Sequence, residues 1–422
     1  MKLFALVLFF AMYVVMIAFQ KYRVPAVLTV AAVYILSGVL PVAAVPGAID
    51  WNVLLMMAGT MVTVEYFIQS KMPNRIADIL LDKSKNVMWV TIFMSLFAGV
   101  ISAFIDNVAT VLMVAPVGIA VCRKLKISPV PMILSIAVSS NLQGAATLVG
   151  DTTSIMLGSY AHMSFMDFFW MNGRPGIFFA VEFGALATIP IMMILFRDQK
   201  QPVSMDEKTA VEDHVPGVML LVMIGALICA SFIRNKPEVT NGVICVLVAL
   251  ITMADNYRRT RRKTNAKQAV RAIDVQTLLL LAGLFLVIGG VTEAGIIRDF
   301  ANLIVKVGSG NLFLLYSIIV WGSVAISAFV DNIPYVATML PVVSLAASSL
   351  GVEPYVFFFG LLCGATLGGN LTPIGASANI ASVGLLKKHG WEVSFRDFMR
   401  IGVPFTLTAV TAGYAYIWLV WH

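Results

Sequence analysis

Long apolar stretches alternate with short polar ones along the whole chain. Apolar runs fall at roughly 3–19, 24–44, 51–69, 176–196, 215–233, 239–255, 275–292 and 402–420. Each is near the length of about 20 residues that crosses a bilayer as a helix. Four further apolar regions, 87–122, 128–159, 310–349 and 354–386, are too long for one span and carry polar or Gly/Pro-rich residues near their middles. In 87–122 the run is interrupted by Ser102, Asp106 and Asn107; Lys83 and Lys85 precede it, and Arg123, Lys124 and Lys126 follow it. Positive charge at both ends predicts a re-entrant helical hairpin with Asp106-Asn107 at its tip; two full spans with a very tight turn are the alternative. Region 128–159 predicts a helix broken at Ser139–Asp151. Regions 310–349 and 354–386 repeat the pattern, with the second break at Gly364–Asn379. Such backbone at membrane depth is tolerated only where protein or water satisfies it.

The interruptions are written twice. Ser102-Ala103-Phe104-Ile105-Asp106-Asn107 returns 225 positions later as Ser327-Ala328-Phe329-Val330-Asp331-Asn332. The stretch Thr147–Ile155 answers Thr372–Ile380 at the same spacing, and Asp50 answers Asp274 at 224. Ser164–Phe168 and Ser394–Phe398 also match, offset by 230. The chain therefore divides into a first repeat, 1–196, a linker, 197–214, and a second repeat, 215–422. Repeats carrying polar, Gly-rich breaks in apolar sequence predict a transporter with its site between the halves.

Charge sets the expected topology. Loops 20–23, 70–86, 123–127, 197–214, 256–273 and 387–401 hold 23 of the 29 Lys and Arg, which places that face in the cytoplasm. The first hairpin then opens inward and the second outward, both termini lie outside, and the halves are inverted. The expected fold is an all-α polytopic membrane protein of two inverted repeats, each with membrane helices, a re-entrant hairpin and a broken helix, in the cytoplasmic membrane. At 59% hydrophobic and 12% charged the chain has no room for a sizeable soluble domain, which would run about 25% charged. The loop bias accounts for the net charge of +7 without a nucleic-acid partner. The basic run at 258–271 fixes orientation or touches anionic lipid. Short amphipathic pieces at 73–82, 164–170, 294–305 and 391–400 read as interfacial arms. The first segment, Lys2–Phe19, reads as a membrane helix, since no small-residue cleavage site follows it. Cys122, Cys229, Cys245 and Cys363 are scattered and read as packing residues.

Candidate chemistry sits at the tips and breaks. An acid at membrane depth costs at least about 2.5 kcal/mol, so it ordinarily faces a cavity and serves an ion or proton path. Asp106 and Asp331, each followed by Asn107 or Asn332, meet that description; the plainer reading is that each caps the following helix. The two readings coexist, because a tip offers carboxylates, free carbonyls and helix N-termini together. In the first break Asn141, Gly144, Thr147, Gly150, Asp151 and Thr152, and in the second Gly369, Asn370, Thr372, Gly375, Ser377 and Asn379, are the substrate- and ion-binding candidates. Glycines let backbone unwind, and Ser, Thr and Asn supply neutral donors and acceptors; the bland alternative is a kink packed through small residues. Asp151 has Ala376 at its repeat position, an asymmetry that suggests coupling rather than architecture. Glu65, placed to snorkel or to pair with Lys71, and Glu182 read as structural, and His162 as a solvated loop residue. No resident metal or cofactor is expected; Na⁺ would be held only transiently, at Asp106 and Asp331.

The two SAF[IV]DN tips, TLVGDTTS and LGGNLTPIGASANI followed by KHGWEVSF resemble the ion transporter superfamily over nearly the whole chain. The branch in question includes arsenite permeases, one class of bacterial sodium/proton antiporters, the P protein and citrate transporter-like domains. That branch usually reads GDPPN at the first break, where this chain has Gly150-Asp151-Thr152-Thr153-Ser154. Sodium-coupled dicarboxylate carriers carry Ser-Asn-Thr at both tips; the acids here disfavour that site. The resemblance implies a scaffold of early helices, a transport domain of hairpins, broken helices and final helices, elevator-like movement and a homodimer.

The function expected from the sequence is secondary-active transport of a small inorganic solute, with arsenite leading, coupled to H⁺ and directed outward. A sodium/proton antiporter is the first alternative. An ion-coupled citrate- or dicarboxylate-like carrier is the second, disfavoured by the lack of Arg or Lys in the breaks. A channel would not need paired hairpins. An enzyme is not expected, since the four His lie outside the membrane core and no nucleophile–base pair is legible.

Overall fold

The structure, a computed structural model, describes residues 1–203, 209–260, 263–308 and 310–422. Part of the linker and the Arg261–Arg262 portion of the basic run thus lie outside the described residues. The first half runs through α1 (Lys2–Ala18), α2 (Arg23–Leu36), α3 (Val45–Ala48), α4 (Trp51–Gln69), α5 (Met72–Asp82), α6 (Val87–Ser102), α7 (Asn107–Lys124), α8 (Val130–Gly144), α9 (Thr152–Tyr160) and α10 (Ile177–Leu195). The second runs through α11 (Val215–Ser231), α12 (Thr240–Thr260), α13 (Lys263–Arg271), α14 (Val275–Glu293), α15 (Ile296–Gly308), α16 (Leu312–Ser327), α17 (Asn332–Leu350), α18 (Tyr355–Leu362), α19 (Ser377–Lys388) and α20 (Phe395–Trp421). Apart from a hairpin of two-residue strands, Trp170–Met171 and Arg174–Pro175, regular structure is helical. Seven helices among the described residues are long and apolar enough to cross a membrane. The protein is a polytopic, helical membrane protein.

Four predicted boundaries are corrected. The span expected at 24–44 ends at Leu36, leaving α2 only 14 residues long. Gly38 sits at φ 75° and Pro41 follows, so the apolar run turns where its composition alone would let it continue. The span expected at 239–255 continues to Thr260. The interfacial arm expected at 391–400 is instead the first turns of α20: Ser394 and Asp397 form a reciprocal capping box that starts this helix early. The expected arm at 164–170 is a single 3₁₀ turn, Met166–Phe168, leading into the strand pair. This phrase shares one bond of that box, with Ser164 N–H donating to Asp167 at 2.6 Å as Ser394 N–H does to Asp397 at 3.1 Å.

Packing crosses between the halves. Helix α2 lies against α14, and α4 against α12; α10 pairs with α20. The hairpin α6–α7 receives α19 against α7, and the hairpin α16–α17 receives α9 against α17. Each hairpin is therefore held by the far limb of the other half's broken helix. The first break is fully enclosed, with every residue from Met132 to Leu157 buried; the second is buried except at Leu371, Pro373, Ile374 and Ser377.

Candidate functional site

Both tips are built the same way. The α6–α7 turn puts Asp106 at the N-cap of α7, where its Oδ1 accepts from Val108 N–H at 3.0 Å and Ala109 N–H at 3.1 Å. Asp331 caps α17 by accepting from Ile333 N–H at 3.1 Å. Behind each tip lies a break. The Thr147 hydroxyl donates to the Ala103 carbonyl, and the Thr372 hydroxyl to the Ala328 carbonyl. A methyl group on Gly150 would meet the carbonyl oxygens of Ser102 and Ala103 at 2.7 Å; one on Gly375 would meet those of Ser327 and Ala328 at 2.7 and 2.8 Å. Only glycine lets each break approach its tip so closely.

The two breaks are stitched to each other. Asn141 donates to the Thr366 carbonyl at 2.7 Å and to Asn370 Oδ1 at 3.1 Å, while Asn370 returns a bond to the Val138 carbonyl at 2.9 Å. Asn107 donates to Asn141 Oδ1 at 2.9 Å. The Thr153 and Thr366 hydroxyls share a bond of 2.9 Å. Asn379 donates to the carbonyls of Gly369 and Thr372, both at 3.1 Å. Around Thr366 the chain forms a π-helical turn, Cys363–Leu367, a geometry frequent at functional sites.

A cavity of about 570 Å³ opens onto this assembly. Its wall contains the start of α7 (Asp106, Asn107), of α9 (Asp151, Thr152), of α17 (Asn332, Ile333) and of α19 (Ser377). Four helix N-termini thus converge on one space, each presenting the positive end of a dipole, with the first-turn N–H groups of α7 and α17 partly taken by their capping aspartates. The carboxylates oppose that field. Asp151, buried, accepts from the Thr153 hydroxyl at 3.0 Å; Glu65 and Asp274 complete the acidic lining. Arg23, the first residue of α2, is the one cation among the described lining residues. Its guanidinium meets Asp331 Oδ2 at 3.1 Å, and the Ser377 hydroxyl donates to the same oxygen at 3.3 Å.

Of the sequence candidates, Asp106, Asn107, Asp151, Thr152, Asn332 and Ser377 line the cavity. Asn141, Thr147, Asn370, Thr372 and Asn379 lie behind it in the buried hydrogen-bond frame, and Gly144, Gly150, Gly369 and Gly375 are close-approach points. Arg23, Thr60, Glu65, Asp274 and Thr277 are lining residues that the sequence reading did not assign. Asp274 had a signal, its match to Asp50. Arg23 had none, since it reaches Asp331 across 308 residues of chain. The expected Glu65–Lys71 contact is replaced: Gln69 donates to Glu65 at 2.9 Å, and Lys71 pairs with Glu212 of the linker at 2.6 Å.

A second cavity, of about 1170 Å³, is lined by Asp50 and Asn52 at the start of α4, by the end of α14 to Glu293, and by Ala337 and Leu340 of α17. The first cavity holds the other ends of the same two helices, Glu65 and Ile68 of α4 and Asp274 of α14. Helices α4 and α14 therefore run in opposite senses between the cavities. The second cavity stops at Ala337 on α17, whereas the first reaches Asn332.

The citrate transporter family profile matches residues 11–361. An uncharacterized transporter of Mycobacterium tuberculosis is 29% identical over 99% of both chains, and a second from that organism is 30% identical over 88% of this chain and 86% of its own. The human P protein is 25% identical over 89% of this chain and 54% of its own length. Among solved structures, the YdaH transporter of Alcanivorax borkumensis, described as having an unusual topology, superposes with a TM-score of 0.62 at 13% identity, covering 89% of this chain and 87% of that one.

Proposed function

The chain belongs to the citrate transporter family of membrane transporters, and from that premise we propose that it is a secondary-active carrier of a small organic anion of the carboxylate class, coupled to H⁺ or Na⁺. The observation that carries this reading is the meeting of four helix N-termini and four aspartates in and around one cavity. The N–H groups suit an anion. Ionised Asp106 and Asp151 would repel it in a space of low dielectric. An anion therefore enters at little cost only when these carboxylates hold protons or a metal cation, and by reciprocity the bound anion raises their hold on those cations. Obligatory coupling follows from charge balance.

Arsenite, the leading solute on sequence grounds, rested on the neutral Ser, Thr and Asn groups of the breaks, while the lack of Arg or Lys there counted against an anion. The four helix N-termini at the cavity supply the positive field that the breaks lack in Arg or Lys, and this favours the organic anion; Arg23 is taken up by Asp331. Sodium/proton exchange without a further solute is the remaining competitor, favoured by the excess of carboxylates over Arg23. Opposite running of α4 and α14 between two cavities supports inverted repeats, and the basic loops on the side of the first cavity support an inward-open state with both termini outside. Elevator-like movement of the hairpins and broken helices, and a homodimer, belong to the same proposal.

The test is flux into liposomes containing purified protein. Citrate and simpler di- and tricarboxylates are offered with imposed H⁺ or Na⁺ gradients, and arsenite is run in parallel. Carboxylate uptake that requires one cation gradient, and is lost in Asp106→Asn, is the expected result. Cation-driven proton movement with no solute present would replace it with an antiporter; arsenite flux alone would restore the metalloid reading.

A further inference from the structure

The two tips are equivalent in backbone and unequal in charge. In the first half Asp106 caps α7 and Asp151 stands at the start of α9. No Lys, Arg or His pairs with either among the described residues. In the second half Asp331 caps α17, Ala376 takes the place of Asp151, and Arg23 meets the remaining carboxylate oxygen at 3.1 Å. The Ser377 hydroxyl supports that same oxygen. Arg23 is itself only 29% exposed and Asp331 18%. The charged groups facing this region are Arg23, Glu65, Asp106, Asp151, Asp274 and Asp331. The second tip is thus charge-balanced within the protein, and the first is not.

We propose that the Arg23 guanidinium is a tethered counter-ion that takes the place of a transported cation at the second tip, so that coupling cations load only on Asp106 and Asp151. A guanidinium bound to Asp331 and a cation on the same carboxylate oxygen exclude each other, by volume and by charge. An arginine is also a permanent cation, so the second tip carries its own counter-charge without drawing on a transported cation. Removing Arg23 would leave an acid at a helix N-terminus beside Asn332 and Ser377, with the same donor types as the first tip. That position would then become a new cation site.

This rests on the coupled-carrier reading, and the experiment separates the two. In liposomes, the membrane potential at which net solute flux vanishes gives the charge moved per solute. The same measurement is made on wild type, Arg23→Gln and Arg23→Gln/Asp331→Asn. If wild type shows no cation coupling, the functional reading fails. If wild type is coupled, the expected result is one additional monovalent cation per solute in Arg23→Gln and a return to the wild-type value in the double variant. An unchanged value in Arg23→Gln, or no return in the double variant, overturns the tethered counter-ion. A second readout covers a variant that binds but does not turn over: thermal unfolding of purified protein in NaCl, against N-methylglucamine chloride at equal ionic strength and at several pH values. Arg23→Gln is expected to gain a Na⁺- or H⁺-dependent stabilisation beyond that of wild type, and Asp331→Asn in the same chain is expected to remove the excess. No gain overturns the proposal.

Discussion

Asp106 and Asp331 hold matching places in the fold and keep different company. Asp106 faces the cavity with one oxygen engaged by backbone N–H groups. Replacing it by Asn keeps an N-cap acceptor while removing the charge. Asp106→Asn is therefore expected to leave the melting temperature within a few degrees of wild type and to lower cation-coupled flux by about tenfold or more, the effect of roughly 1.4 kcal/mol. Near-normal coupled flux in folded protein would remove Asp106 from the ion path. The glycines behind the tips make the opposite kind of prediction. A methyl group at Gly150 or Gly375 has no room against the facing carbonyls, and Gly→Ala at either is expected to cost about 1–3 kcal/mol, read as a lower melting temperature and reduced yield of folded protein. These residues announced themselves in the sequence, because a polar or Gly-rich phrase in apolar surroundings has few explanations. What the sequence did not reveal is which candidates touch the cavity. Asn141, Asn370 and Asn379 share the composition of a binding site but spend their amides on carbonyls across the breaks. Only their tertiary neighbours distinguish frame from lining.

At the level of elements, the breaks act as one unit. Asn141 of α8 joins Asn107 at the start of α7 to the π-turn of the second half. Asn141→Ala leaves the Asn107 amide and the Thr366 carbonyl without that partner in a buried setting, where each orphan costs about 1–3 kcal/mol. The expected outcome is a larger loss of stability than Asn241→Ala gives outside this frame, measured by thermal unfolding in detergent. Equal losses would mean that the two breaks are not mechanically joined. Helix boundaries were the least legible part. The run at 24–44 is apolar enough to span, and only the turn at Gly38 and Pro41 stops it. The final helix starts early because two side chains cap it, a local device that hydropathy does not register.

Across the whole molecule, Leu112 on α7 and Ala337 on α17 stand 225 residues apart and line opposite cavities. Cys229→Ser removes the one exposed native thiol among four. In that background, Leu112→Cys is expected to react with a membrane-impermeant maleimide from the side of the basic loops, and Ala337→Cys from the other side. Labelling of both from one side would rule out opposed cavities. The 225-residue offset of the repeated phrases relates these two positions in sequence. It did not foretell that each hairpin is braced by a limb from the other half, because contacts between halves leave no trace in the periodicity of either.

The shortness of α2 has a consequence beyond the protein's own fold. Fourteen helical residues rise about 21 Å at roughly 1.5 Å each, well short of a hydrocarbon core of about 30 Å. Helix α2 also carries Arg23 at its first residue and leaves Leu36 at its other end 87% exposed. Lipid beside it must thin, or flanking side chains snorkel, to meet both ends, at a cost that grows with each ångström of mismatch. Acyl-chain length is therefore expected to bear on the helix that presents Arg23 to the second tip.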